Sequence, residues 1–372
     1  MDIAALQTLT SQILWASFAL SVLFGGIAQR THFCTMGAVS DIVSMGDWTR
    51  MRVWGLAAGV ALIGFAALAA AGLIDPSKTL YVANRFIWLS ALVGGLLFGF
   101  GMVLASGCGS KTLVRMGGGN LKSLVVFIVM GLAAFATLKG ITAVLRVNIL
   151  DTVAIDFATP ATFGQWLANA SGLPPAATAL ALGLALGSGF MVWALAGREF
   201  LRCDNLLAGL GIGAIITAIW WISGSLGFVP EHPETLEAVF LATNSGRAEA
   251  MSFVAPVAYS LDWLLFFSDK SKVLTLGIVS VVGVVVGSAT YALTTRTFRW
   301  EGFGGTEDTA NHIVGAMLMG VGGVAAMGCT IGQGLSGIST LSATSFVALA
   351  AILLGAVAGL NYQIFRLERT LQ

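Results

Sequence analysis

Two stretches in opposite halves of this chain copy each other. GGLLFGFGMVLASGCGSKTL begins at Gly94 and carries Cys108, and GAMLMGVGGVAAMGCTIGQG begins at Gly315 and carries Cys329. A shift of 221 positions lays Gly94 on Gly315, Gly99 on Gly320, Gly101 on Gly322, Gly107 on Gly328 and Cys108 on Cys329. Both are apolar, glycine-rich runs that end in Gly-Cys and pass into a short polar segment. An internal repeat constrains architecture before any single residue does, because each copy must bury its apolar face in the same way.

Such runs do not suit a soluble fold. Of 372 residues 57% are hydrophobic and 10% charged, with a mean hydropathy of +0.88, against roughly 25% charged in soluble domains. The runs approach the ~20 residues of a helical span and lack the period-two alternation of barrel strands. The chain therefore reads as an all-α integral membrane protein. About nine transmembrane helices are expected, near 11–28, 52–73, 86–105, 121–141, 176–197, 205–227, 272–293, 312–327 and 341–363. No basic segment precedes the first, so it reads as a retained span and not a cleaved signal. A net charge of +1 offers nothing to nucleic acid, and no Walker sequence supports ATP-driven pumping by this chain.

Three segments resist simple assignment. GIAQRTHFCTMGAVSDIV, after the first span, reads as a re-entrant piece carrying Cys34 inward or as a helix pair at the surface. Glu231, Glu234 and Glu237 ahead of AVFLATN predict a surface helix. Residues 251–267, broken by Pro256, read as a tenth span or a second re-entrant piece. Nine spans with the N-terminus periplasmic put twelve of nineteen basic residues, Arg198 among them, on the cytoplasmic side, whereas ten spans put ten there. The positive-inside rule favours nine, with a cytoplasmic C-terminus. The expected division is a first half-repeat over 1–147, an external linker over 148–175, and a second half-repeat over 176–372 with an insertion at 228–271.

With nine spans the helix leading to Cys108 runs inward and the one leading to Cys329 runs outward. Inverted repeats of this kind build a substrate route at the repeat interface from interrupted helices. Thiolates bind soft metals, but Lys111 and Arg115 follow Cys108, Arg30 and His32 precede Cys34, and no carboxylate adjoins Cys108 or Cys329. No metal or other cofactor is expected. Short helices starting after Gly107-Cys108 and Gly328-Cys329 would present free N–H groups and a positive dipole end to an anion. Gln333 and Ser336 are either neutral donors there or packing groups. Lys111 is either an anion contact or a membrane-edge anchor, and His32 either a site residue or a loop residue. A neutral thiol is a weak donor that matches polarisable sulfur better than hard oxygen, so a thiosulfate-like dianion fits. Cys203 has no glycine partner and reads as a small buried hydrophobe.

FCTMGA at Phe33–Ala38, SGCGS at Ser106–Ser110 and GCTIGQGLSG at Gly328–Gly337 resemble the signatures of the YeeE/YedE family of bacterial inner-membrane sulfur transporters, over nearly the whole chain. The resemblance implies thiosulfate uptake through an hourglass-shaped body with broken helices at its waist. It implies a central path lined by Cys34, Cys108 and Cys329. It also implies work beside a small sulfur-carrier protein of the TusA type on the cytoplasmic side, and some relatives are linked to selenium. A membrane sulfurtransferase or thiol oxidoreductase is the rival reading, and a Cys108–Cys329 disulfide a third.

Overall fold

The computed structural model describes residues 2–197 and 200–370, so Arg198 lies outside the described residues. Its helices are α1 (Ile3–Thr31), α2 (Thr35–Met45), α3 (Thr49–Ala70), α4 (Trp88–Leu104), α5 (Gly109–Gly117), α6 (Leu121–Lys139), α7 (Ile141–Leu145), α8 (Phe163–Ser171), α9 (Pro175–Leu195), α10 (Cys203–Trp221), α11 (Val254–Leu265), α12 (Leu276–Thr294), α13 (Thr306–Ala325) and α14 (Ala343–Thr370). Two antiparallel pairs of two-residue strands, β1 (Arg85–Phe86) with β2 (Ile155–Asp156) and β3 (Phe228–Val229) with β4 (Val239–Phe240), join loops. The protein is an all-α integral membrane protein. With no water to take backbone polar groups in hydrocarbon, helices satisfy them internally.

Among the described residues, eight helical runs are long and apolar enough to cross a bilayer. The ninth expected span, 312–327, falls in α13, which is not among the eight. It opens with Glu307 and Asp308 and buries His312 together with Gly315, Gly320, Gly322 and Gly323, so it is carried by protein rather than by lipid. The twelve residues of α11 reach about 18 Å, well short of a ~30 Å hydrocarbon core, so 251–267 adds no tenth crossing. The surface helix expected after Glu231 is absent. Pro230 and Pro233 interrupt the helical ladder, and the segment instead folds back as β3 and β4, with the Phe228 and Phe240 rings 5.0 Å apart.

Loop contacts sort the helix ends onto two faces. On the first face Thr79 bridges to Ala248, β1 pairs with β2, Thr162 bridges to Ser342, and the Leu276 N–H donates to Ala242. On the second, Asn120 bridges to Glu301, Arg30 pairs with Asp204 at 2.9 Å and Lys122 with Asp308 at 2.8 Å. Helix α4 thus starts at the first face and α13 at the second, and the two Gly-Cys copies run in opposite directions.

Those copies pack on each other through their glycines. A methyl group built on Gly94 would lie 2.7 Å from the Gly322 carbonyl oxygen, and one on Gly322 2.6 Å from that of Gly94. Gly101 and Gly315 stand in the same relation, at 2.7 and 2.6 Å. Each glycine meets the repeat partner of the other, as in a two-fold contact where residue i meets j and j meets i. Small residues let backbones approach this closely, which is how helices associate where lipid supplies no hydrophobic drive. The surrounding contacts follow suit: α1 lies on α12 and α10 on α3, α4 on α14 and α13 on α6, α2 on α3 and α14, and α11 on α12 and α6.

Candidate functional site

Three helical segments start directly after a cysteine. Cys34 is the N-cap of α2 and Cys108 that of α5, both with extended backbone, and Cys329 immediately precedes the helical run 330–339. Cys34 Sγ accepts the Gly37 N–H at 3.4 Å and Cys329 Sγ accepts the Gly332 N–H at 3.4 Å. Cys108 Sγ lies 3.3 Å from Ser110 Oγ, with the Lys111 N–H turned toward it but making no cap hydrogen bond. A helix leaves its first N–H groups without intrahelical partners, and at Cys34 and Cys329 sulfur fills the place an oxygen normally takes. The third helical run contains a π turn at Gly332–Gly337, a distortion frequent at functional sites.

The backbone arrives at each thiol in the same way. Two residues before each cysteine stands a left-handed residue: His32 (φ 52°), Ser106 (φ 56°) and Met327 (φ 56°). Gly107 and Gly328, between turn and thiol, leave space instead of supplying the turn. A methyl group at Gly107 would sit 3.3 Å from Lys111 Cγ, and one at Gly328 3.1 Å from Gln333 Cγ.

The structure brings the cysteines of separate motifs together. The Cys34 and Cys108 side chains are in contact, Cys329 lies within electrostatic reach of Cys108, and the Phe253 N–H at the start of α11 points to Cys329 Sγ. Cys108 and Cys329 are fully buried and Cys34 is half-buried. All four cysteines are free thiols, so there is no Cys108–Cys329 disulfide. Cys203, expected to be buried, is exposed as the first residue of α10.

On the second-face side of Cys34 and Cys108, Lys111 lies within electrostatic reach of both thiols and of Arg50 and Arg115, and His32 lies close to Lys111 and Arg50. Arg115 donates to the Ser106 carbonyl at 2.7 Å and so ties down the turn before Cys108. Arg50, which the sequence did not single out, belongs to this group. It pairs with Asp41 at 3.1 Å and places Nη1 2.7 Å from where a Gly37 methyl would be. Gln333 is buried, with Nε2 donating to the Ala326 carbonyl at 2.5 Å. Ser336 donates to the Met251 carbonyl at 2.8 Å, so its hydroxyl holds the segment leading to α11 rather than facing the thiols.

On the first-face side, a cavity of about 210 Å³ runs from Arg146, Asn244, Glu249 and Tyr259 down to Ser252 and Gly328, next to Cys329. Burial pushes the Glu249 carboxyl above the usual carboxylate range. Tyr81, which the sequence did not single out, is buried beside Cys329. A larger groove of about 920 Å³ along α1, α11 and α12, with Trp15 and Trp263, holds no cysteine. Among the described residues no cluster of three or more His, Cys, Asp or Glu could hold a metal ion.

Interrupted helices, glycine-packed and antiparallel, that aim their N-termini at a shared buried point are the construction of a membrane transporter. The chain matches the sulphur transport family over residues 30–358 and belongs to it. It is similar to the thiosulfate transporter TsuA of Escherichia coli (strain K12), 27% identical over 345 residues that cover 90% of each chain. It is also similar to the thiosulfate transporter TsuA of Spirochaeta thermophila, 25% identical over 357 residues that cover 92% of this chain and 97% of that one. It is a transporter and not an enzyme.

Proposed function

We propose that this protein takes up thiosulfate, or a closely related sulfur anion, across the bacterial inner membrane by way of Cys329, Cys108 and Cys34. The observation that carries the reading is the convergence of three helix starts, each led by a thiol, on one buried locus. Partial positive charge from the N–H groups holds the dianion, while weak S–H contacts to its terminal sulfur hold it loosely enough to pass on. The cavity above Cys329 is the entry, and the Lys111, Arg50 and His32 group beside Cys34 draws the anion to the exit. The first face is then periplasmic with the N-terminus, and the second, richer in Lys and Arg, cytoplasmic with the C-terminus. A TusA-like carrier receiving sulfur there rests on the family resemblance alone.

The reading takes the body as two inverted halves. The first half is 1–147, joined through 148–175 to a second half within 176–372. The helix contacts favour matching α1–α6 with α10–α14, which makes α11 the counterpart of α2 and widens the connection beyond 148–175 to take in α7, α8 and α9. The lipid bilayer and a small sulfur anion are the partners this requires.

Uptake of radiolabelled thiosulfate into proteoliposomes tests the route. Cys108→Ala and Cys329→Ala should each abolish most uptake, whereas Cys203→Ala should be silent. Undiminished uptake by both of the first two variants would refute the thiol path.

A further inference from the structure

Buried hydroxyls that make no well-formed hydrogen bond stand next to the thiols. Thr35 Oγ1, Thr330 Oγ1 and the Tyr81 hydroxyl are enclosed without a well-formed bond on residues only 1%, 0% and 5% exposed; Thr330 has Cys108 Sγ for its polar neighbour and Tyr81 has Ser252 Oγ. A buried hydroxyl left in this state carries its full desolvation cost, so three around one locus call for an explanation. Thr35 directly follows Cys34. Thr330 approaches Cys108 from the other half of the chain. A methyl group built on Gly332 would lie 3.2 Å from the Tyr81 oxygen and 2.6 Å from Ser252 Oγ, and it is the Gly332 N–H that donates to Cys329 Sγ. Gln333 Oε1 and Ser345 Oγ also lack partners, but both face the same point beside Gly337, on the π turn, where a small rotation lets them bond each other.

We infer that Thr35, Thr330 and Tyr81 are specificity-determining donors for the oxygen end of the transported anion, each working beside a thiol that takes its sulfur end. The inference rests on the transport reading above and narrows its substrate class. An anion such as sulfate could satisfy the hydroxyls but offers nothing soft to the thiols. Hydrosulfide could satisfy the thiols but leaves the hydroxyls unbonded. An oxyanion bearing one terminal sulfur satisfies both at every station, and a site built to hydrogen-bond a group discriminates strongly against solutes that lack it. Because Thr330 reaches the thiol of the opposite half, an anion at Cys108 is held by both halves at once.

The test is thiosulfate uptake kinetics in proteoliposomes of wild type, Thr330→Val, Thr330→Ser and Tyr81→Phe, each first checked for a wild-type elution profile and melting temperature. Removing one donor to an anion should raise KM about tenfold in Thr330→Val and in Tyr81→Phe. Thr330→Ser, which keeps the hydroxyl, should stay near wild type, a rescue that a purely packing role would not give. Competition by excess sulfate should weaken in Thr330→Val, and competition by hydrosulfide should not. Wild-type KM in both Thr330→Val and Tyr81→Phe, or equal impairment of Thr330→Ser and Thr330→Val, would overturn the inference while leaving transport intact. If Thr330→Val misassembles, Tyr81→Phe and Thr330→Ser decide by the same readouts. Wild-type vesicles that take up no thiosulfate would overturn the transport reading and this one with it.

Discussion

At the residue scale, the site depends on small geometric details beside each cysteine. Glycine is the usual occupant of left-handed backbone, since other residues lose roughly 1–2 kcal/mol there. Here Ser106 and Met327 adopt it while Gly107 and Gly328 do not. The glycines serve the side chains of Lys111 and Gln333, which pass where a methyl group would stand. Glu249 makes a separate prediction. Its carboxyl accepts the Ser245 N–H at 2.7 Å, yet burial holds its folded-state pKa above the ordinary value of 4.5. The groups facing it are Tyr81, Tyr259 and, across the cavity, Arg146. A raised carboxylate pKa means the folded state keeps its proton longer, so stability is full below the unfolded pKa and is lost as pH rises through the folded one. The melting temperature in detergent should therefore fall over that window. Glu249→Gln, which keeps the acceptor, should flatten the fall; parallel curves for the two proteins would show that Glu249 does not titrate there.

At the element scale, the decisive contact is α4 against α13. Its closeness depends on four glycines, and a large side chain at any of them must force the two backbones apart. Gly101→Leu should cost about 3 kcal/mol or more, the upper end for overpacking a tight site, and should cut thiosulfate uptake by displacing Cys108 from Cys329. Differential scanning fluorimetry together with uptake checks this. Gly46→Ala offers a contrast. At φ 69° with nothing within 4 Å, it should lose only the modest backbone term and leave uptake unchanged. The short helices follow a similar logic. Helix α5 is nine residues and α2 eleven, too short to stand alone in water, so each is stabilised by packing, and α2 also by its thiol cap, rather than by propensity.

At the scale of the whole molecule, the orientation can be tested with the one exposed thiol. Cys203 starts α10 on the second face, where Arg30 meets Asp204, while Cys108 and Cys329 are sealed. A membrane-impermeant maleimide should label Cys203 in inside-out vesicles and not in intact spheroplasts; the reverse pattern would invert the proposed topology. Much of this architecture was legible beforehand. Hydropathy and length mark the spans because the bilayer imposes both. The offset copies around Cys108 and Cys329, read with the basic-residue count, imply opposite orientation because span parity fixes direction. The sequence also shows a threonine directly after Cys34 and after Cys329, as Thr35 and Thr330, although nothing in one dimension shows what those hydroxyls face. What lay beyond it were relations between distant segments: Tyr81 beside Cys329, Arg50 beside Lys111, Thr330 reaching Cys108, and the Phe253 N–H aimed at a thiol. The strand pair at 228–240 likewise follows from two prolines and one aromatic contact overriding a run of helix-favouring residues. Which residues can enter a membrane is set by local chemistry that each stretch carries with it. Which of them meet around the buried thiols is set by how distant helices pack, and only the folded molecule decides that.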